Sequence, residues 1–467
     1  MLGLFGLLDV GANSLSVAEE AMEVTGQNLS NVNNPNYTRQ TLDVQSATPL
    51  QTTIGQEGTG VQAVGISQAS DALLNAQITN ENSVSSSLTS QQTALENAET
   101  YLNEQITNGS TDSTSPSGLT AGISNLFNSF QNVSTAPTSQ SQRQTLVANA
   151  QNLATQFNSV SSSLSNVRDQ INQSIQNGVS SANQDLAQIA TLNQQIVMAD
   201  AEGGSANDLV DQRQAAINDL ASYANVATTA QSNGAVNISI GGVEMVSNIS
   251  ATDSLEAYDA GGGQLLIKAQ SAGTPLTLSS GSIEGSITAR DGALSTLQTS
   301  VNTLATQLIT QVNSIYSSGY DLNGNTGASF FTGTDASDIA VNSTLANDPS
   351  AVQASGSANA AGDNSVMLAL SQLATSKVSG LNNQTFSQSW AQTVGALGNS
   401  ISSVNDQVNN STSVTQMLQT QRDSVSGVSL DEEMTNLMQY QKTYEASAQL
   451  VSTINQMLET VINMKTS

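Results

Sequence analysis

Along the last forty residues, apolar side chains recur at alternating steps of four and three, through Leu430, Met434, Leu437, Gln441, Tyr444, Ala448, Val451, Asn455, Leu458 and Ile462. This heptad seam predicts a long helix that lays one face on a partner helix. Ser429 followed by Glu432 predicts a capping box at its start, and Asp431, Glu432 and Glu433 place negative charge at the positive end of the helix dipole. Leu450, Ile454, Met457 and Val461 form a second apolar row, which one partner helix cannot cover together with the first. The N-terminal stretch has the same spacing in Phe5, Leu8, Ala12, Leu15, Met22 and Leu29, interrupted by Glu19 and Gly26. Each helix would be about 45 Å long and has no core of its own. The two ends of the chain are therefore expected to pair as a coiled coil. Periodicity leaves open whether the pair merely closes one domain or also offers apolar surface to neighbouring copies.

The interior is largely helical in pattern. Leu74, Glu81, Leu88, Leu95 and Leu102 stand seven apart, and Ile123 to Val133 is short and amphipathic. The longest regular pattern runs from Leu146 to Ile196 and stops at Gly203-Gly204. A run of that length without proline predicts a rod-like bundle. Leu209 to Leu220 predicts one more helix. Val236, Ile238 and Ile240 then alternate before Gly241-Gly242, which predicts a hairpin, and Leu265–Ile267 and Leu276–Leu278 predict further strands. Helical spacing returns at Leu294–Ile315, at Val366–Leu373 and from Phe386 to about Val425. The fold class is thus mainly α with a smaller β-rich insertion, built as a long rod-like helical bundle. The expected division is 1–45 plus 426–467 for the terminal helices, 46–224 plus 288–425 for the rod with a loop and short-strand section near 319–362, and 225–287 for a β-rich insertion projecting sideways. Residues 40–65 read as a connector with short extended pieces.

At 467 residues the chain has ample length for several domains. Only 10% of residues are charged, so Ser, Thr, Asn and Gln must make up much of the surface. The net charge is −27, and no two of the ten Lys and Arg lie within nineteen positions of each other. Without a basic cluster, neither nucleic acid nor an anionic membrane is an expected partner. Cysteine and histidine are both absent, which removes thiolate chemistry, the usual general base and the commonest metal ligand. Leu2–Leu8 lacks the preceding positive charge of a cleavable signal. Asp321, Asn323 and Asn325 suggest a calcium loop, but Thr326 and Thr332 occupy the positions that need glycine and glutamate, so a structural turn is expected. Glu19-Glu20, Glu96 with Glu99, and Asp431–Glu433 lie on helix faces or in a first turn, where solvation or capping explains them. No catalytic residues, cofactor or metal are assigned, and Trp390 reads as core.

Two stretches are more specific than their elements require. In Thr25–Arg39 (TGQNLSNVNNPNYTR), a helix stop carries Asn28, Leu29, Asn31, Pro35 and Tyr37. This resembles the N-terminal signature of the flagellar rod, hook and hook-associated family, with Asn36 standing where glycine is usual. Ser426–Leu450 resembles the C-terminal end of members at the hook-filament junction, and Asn207–Ala221 and Gly319–Phe331 also look like them. The resemblance implies a non-enzymatic, extracellular structural protein of the bacterial flagellum, exported without a cleaved signal. It also implies assembly with copies of itself into a ring, with the hook protein and hook-associated protein 3 as neighbours and an export chaperone on the C-terminal helix. The residues expected to carry self-assembly and chaperone contact are Phe5, Leu8, Leu15, Met22, Leu29, Leu437, Tyr444, Leu450, Ile454, Met457, Leu458 and Val461. A second reading is a secreted adhesin or extracellular carbohydrate-active protein that uses the β-rich insertion.

Overall fold

The computed structural model describes residues 3–464 apart from 53, 54, 103, 105, 108, 109 and 112–116, so most of the polar loop expected at 108–120 lies outside the described residues. Helix α1 (Leu4–Ser30) leads into β1 (Gln40–Ser46), β2 (Leu50–Thr52), β3 (Gly55–Glu57) and β4 (Val61–Gln68). Next come α2 (Ala72–Leu102), β5 (Ile106–Thr107), β6 (Ser110–Thr111), α3 (Gly118–Thr135), α4 (Gln140–Ala201) and α5 (Asn207–Tyr223). Strands β7 (Val226–Ala230), β8 (Val236–Ile240), β9 (Val243–Ser247), β10 (Ser250–Ala251), β11 (Leu255–Asp259) and β12 (Leu265–Ala269) follow. Helix α6 (Ser282–Ala289) continues through a π turn, Arg290–Leu294, into α7 (Ser295–Tyr316). The chain then forms β13 (Phe331–Thr332), β14 (Ala340–Val341), α8 (Ser343–Asn347), α9 (Ser365–Gln372), α10 (Phe386–Ser426) and α11 (Leu430–Met464).

The layout is nested. Helix α1 packs on α11 and α2 on α10, while α3, α4, α5, α6 and α7 complete the rod. The main apolar core runs from Ala94 on α2 to Val404 on α10 and takes in strand residues Ile238, Val246 and Ile267, and Leu74, Ile78 and Leu418 form a second, small cluster between α2 and α10. Helix α4 reaches 62 residues because its apolar positions stay in helical phase, and Ser139 caps its start by accepting from the Gln142 amide. Trp390 is buried in the core and donates its indole N–H to Glu104 Oε1 at 2.9 Å. The stretch read as a connector is a two-stranded antiparallel hairpin, β1 on β4, which packs along α1.

The β-rich stretch differs from its expected form. It is a four-stranded antiparallel sheet in the order β10-β9-β8-β7 beside the pair β11-β12. Gly241 and Gly242, both at positive φ, make the tight β8–β9 turn. Leu276–Leu278 is not a strand. Pro275 has no amide to extend a ladder, and only one bridge, Pro275 to Lys268, forms. Instead of projecting sideways, the sheets lie along α4. Asn183 exchanges two hydrogen bonds with the Leu255 backbone, at 2.9 and 2.8 Å. Asn172 donates to Gly263 O, and Asn193 donates to both Val236 O and Asn248 O. These asparagines are spaced by about three helical turns and so share one face of α4.

Three buried arginines anchor loops in the same manner. Arg143 donates to Pro137 O, Ser350 O and Val352 O, Arg213 to Asn193 Oδ1 and Gly234 O, and Arg290 to Asn172 Oδ1 and Leu265 O. In the 319–331 loop, Asp321 Oδ1 accepts from the Asn323 and Asn325 amides while Oδ2 accepts from Asn325 Nδ2. The carboxylate holds its own turn closed.

Candidate assembly surface

Helices α1 and α11 run antiparallel, with Asn28 beside Glu433 at one end and Gly11 against Val451 toward the other. The buried residues of α1 are Gly11, Ala18, Ala21, Val24, Thr25 and Asn28, mostly one residue away from the series expected from sequence. Phe5 is 72% exposed, and Leu8, Leu15, Met22 and Leu29 are only half-buried flank residues. The shift has a steric cause. A Cβ on Gly11 would stand 2.7 Å from Val451 Cγ2, so small residues let the backbones approach and the larger ones are left alongside.

On α11 the positions seven apart, Leu437, Tyr444, Val451 and Leu458, do face the pair, although Tyr444 remains partly open. Between them the structure uses Tyr440, Ser447 and Ile454, while Gln441, Ala448 and Asn455 are exposed. Ile454 is 3% exposed and belongs to the covered seam, not to the open row in which the sequence pattern placed it. Leu450, Met457 and Met464, one position before the seam, are exposed on one flank, and Met434 and Met438, one position after it, on the other. Val461 and Ile462 are also exposed, on the stretch of α11 beyond the α1 seam.

The family-signature residues form a polar joint at the base of this pair. Asn28 is buried and fully hydrogen-bonded: Oδ1 accepts from Tyr37 Oη at 2.9 Å and from the Gln40 amide at 3.0 Å. Its Nδ2 donates to Gln40 O at 2.8 Å and Glu433 Oε2 at 3.2 Å. Arg39 donates to Glu433 Oε1 at 2.9 Å and Glu432 Oε2 at 3.1 Å. Glu432 therefore serves an ion pair instead of closing the expected capping box, of which only the long Ser429 contact at 3.5 Å forms. Leu29 and Asn31 lie half-buried beside the knot, and exposed Pro35 turns its carbonyl to Arg422 at 2.6 Å.

The start of α5 closes the joint from the rod side. Asp211 accepts from Thr38 N and Oγ1 at 2.8 and 2.7 Å, Asp208 accepts from Gln40 Nε2, and Asn207 donates to Ile66 O. Burial, with Asp208, Asp211 and Glu433 nearby, pushes the Tyr37 phenol up to about 12, which keeps it a donor to Asn28. Burial also raises Asp211, against the lowering effect of the two Thr38 hydrogen bonds. A small cavity of about 60 Å³ lies behind Tyr37, between Asn75, Asn218 and Arg422. Arg39, Glu433 and Asp211 carry no local sequence mark of a place in this joint beyond the family-like texture of Asn207–Ala221. Among the described residues, no group of three or more acidic side chains could hold a metal ion, and no described helix is long and apolar enough to cross a membrane.

Comparison with known proteins bears on both ends and the middle. Residues 109–331 match the family model described as the flagellar hook-associated protein FlgK helical domain, and residues 419–464 match the flagellar basal body rod FlgEFG protein C-terminal model. Flagellar hook-associated protein 1 of Bacillus subtilis is 28% identical over 99% of this chain and 99% of its own length. Its counterpart in Salmonella typhimurium is 24% identical over 98% of this chain and 100% of its own. The flagellar hook junction protein FlgK from Burkholderia pseudomallei has the same fold, with a TM-score of 0.64 over 75% of this chain and all of that structure, at 18% identity.

Proposed function

Because the chain belongs to the flagellar hook-associated family, we propose that its apolar α11 flanks are the contacts through which it takes its place in the flagellum. The protein is a structural component of the bacterial flagellum, at the junction between hook and filament. The observation that supports the contact assignment is the exposed row of Leu450, Met457, Val461 and Met464, which runs along the flank of the α1-covered stretch of α11 and on past the end of that seam. Exposed apolar rows of this kind mark interaction surfaces. Copies of the same chain cover them in a ring, and Phe5, Leu8, Leu15, Met22 and Leu29 contribute from α1. Leu437, Tyr444, Ile454 and Leu458 support the surface from within the seam.

The neighbours in this reading are the hook protein on one side and hook-associated protein 3 on the other. Before assembly an export chaperone shields the same α11 residues. The working division is a terminal unit of 1–45 with 426–467, a rod of 46–224 with 288–425, and the β-rich section 225–287. The polar joint around Asn28 sets the angle between the first two. The adhesin reading is not favoured: the relatives matched end to end are hook-associated proteins, and the strands that would carry a binding site share their core with α4.

Met457 and Val461 are both more than half exposed, whereas Leu450 Cδ2 borders Gly11 of α1, so Met457→Asp with Val461→Asp tests the surface without opening the pair. The variant is expected to keep its helical content and to leave hooks bare of filament by electron microscopy. Normal filaments on cells carrying it would overturn the assignment. Ile454 is unsuitable for this purpose, because a charge there would unfold the pair itself.

A further inference from the structure

The open apolar surface is rich in thioether. Met434 and Met438 lie on one flank of α11 and Met457 and Met464 on the other, while Met417 lies between Val414 and Val425 near the end of α10. These five are between 42% and 73% exposed, whereas Met245 and Met367 are fully buried. With ten methionines and no cysteine, the thioether is the side chain on this protein most readily oxidised by a peroxide. Methionine also gives an assembly surface its adaptability, since its flexible, polarizable side chain fits irregular neighbours. The groups best placed to be covered by another copy are therefore those best placed to react before they are covered.

We propose that Met417, Met434, Met438, Met457 and Met464 are oxidation sites, and that sulfoxide formation there switches the assembly surface off. This rests on the reading of the α11 flanks, together with the exposed end of α10 that leads into them, as contacts between subunits. In the step, a thioether sulfur lone pair attacks one oxygen of hydrogen peroxide. The O–O bond breaks as the S–O bond forms, sulfur is oxidised by two electrons, and the second oxygen leaves as water with the transferred proton. The product is polar and chiral where the thioether was apolar, and an apolar neighbour has no donor to offer its oxygen. Leu450 and Val461 cannot undergo the change, so the effect is confined to the methionine positions.

The test uses the full-length chain, hydrogen peroxide as the probe, and binding to isolated hooks that lack this protein, read by co-sedimentation. Peptide mass spectrometry is expected to show these five methionines, and Met198, which is 55% exposed on α4 away from this surface, oxidising at least about tenfold faster than Met245 and Met367; Met198 stays in the leucine variant as an internal control. Treated protein should keep its helical circular dichroism but bind hooks at least about tenfold more weakly, and methionine sulfoxide reductases should restore binding. A variant with all five replaced by leucine should bind equally before and after peroxide. The proposal is overturned if oxidised wild-type protein binds as well as untreated protein, or if the leucine variant loses as much binding as wild type. Failure of the untreated chain to bind hooks would instead sink the assignment of the contact surface, and this inference with it.

Discussion

Asn28 shows how much one side chain can decide. All four of its hydrogen bonds are made inside the joint, and they tie the end of α1 to β1 and to the first turn of α11. Asn28→Leu leaves the Gln40 amide and carbonyl without partners, so roughly 2–3 kcal/mol should be lost from the joint. The loss should appear as faster amide exchange at 28–40 and 430–436, with the α4 core unchanged. Asn28→Asp is nearly isosteric, yet it cannot donate to Glu433 and adds a like charge beside it. It should therefore loosen the same amides. Asp185 on α4 is a second residue with a defined consequence. Its Oδ2 is buried without a hydrogen-bond partner, and burial with the nearby Asp219 charge raises its pKa from 3.8 to about 6. A raised carboxyl pKa means that the folded state takes up the proton first, so the cost of the charged form is present above pH 6 and fades as pH falls toward 4. Asp185→Asn should then stabilise the protein at pH 7.5 and have little effect at pH 4. Equal effects at the two pH values, by thermal unfolding, would refute this.

At the scale of elements, the α1–α11 pair depends on close approach. Gly11→Leu adds a branched side chain where a single Cβ already meets Val451 at 2.7 Å, so the N-terminal half of α1 should lift from α11. Amide exchange at 449–458 should rise by about an order of magnitude, whereas Ser30 to Gln40 should be unaffected because the Asn28 joint lies at the other end. The same geometry explains what the sequence disclosed. That both termini are helical, that they meet, and that α11 carries more apolar surface than α1 covers could be read from spacing alone. The register could not. Periodicity weights large apolar residues, and here Gly11, Ala18 and Ala21 are the ones covered while Leu8, Leu15 and Met22 flank them. Long-range polar pairing was hidden for a different reason. Asn172, Asn183 and Asn193 are three among many amides in a chain of low charge, and nothing local distinguishes an asparagine that binds a strand from one that faces water. Gly241-Gly242, whose turn chemistry is local, was legible.

For the whole molecule, the consequence is that the rod and the β-rich section are one folding unit along α4. Ile238, Val246, Leu255 and Ile267 contribute to the same apolar core as Val179, Leu186 and Ile189, and Arg213 and Arg290 bind backbone carbonyls across the two. A section that merely projected from the rod could be removed without cost. Deleting residues 226–269 and joining the ends with a short Gly-Ser linker instead uncovers one face of α4 over several turns and leaves two buried guanidinium groups short of acceptors, each worth about 1–3 kcal/mol. The deletion should lower the thermal midpoint markedly and open α4 and α5 to limited proteolysis near 172–213. The α1–α11 pair and the Asn28 joint, which have their own contacts, should stay folded. Any loss of hook binding by such a chain would then report collapse of the rod and not a binding role for the strands. A deletion variant with an unchanged midpoint and a protease-resistant α4 would show that the strands and the rod fold independently.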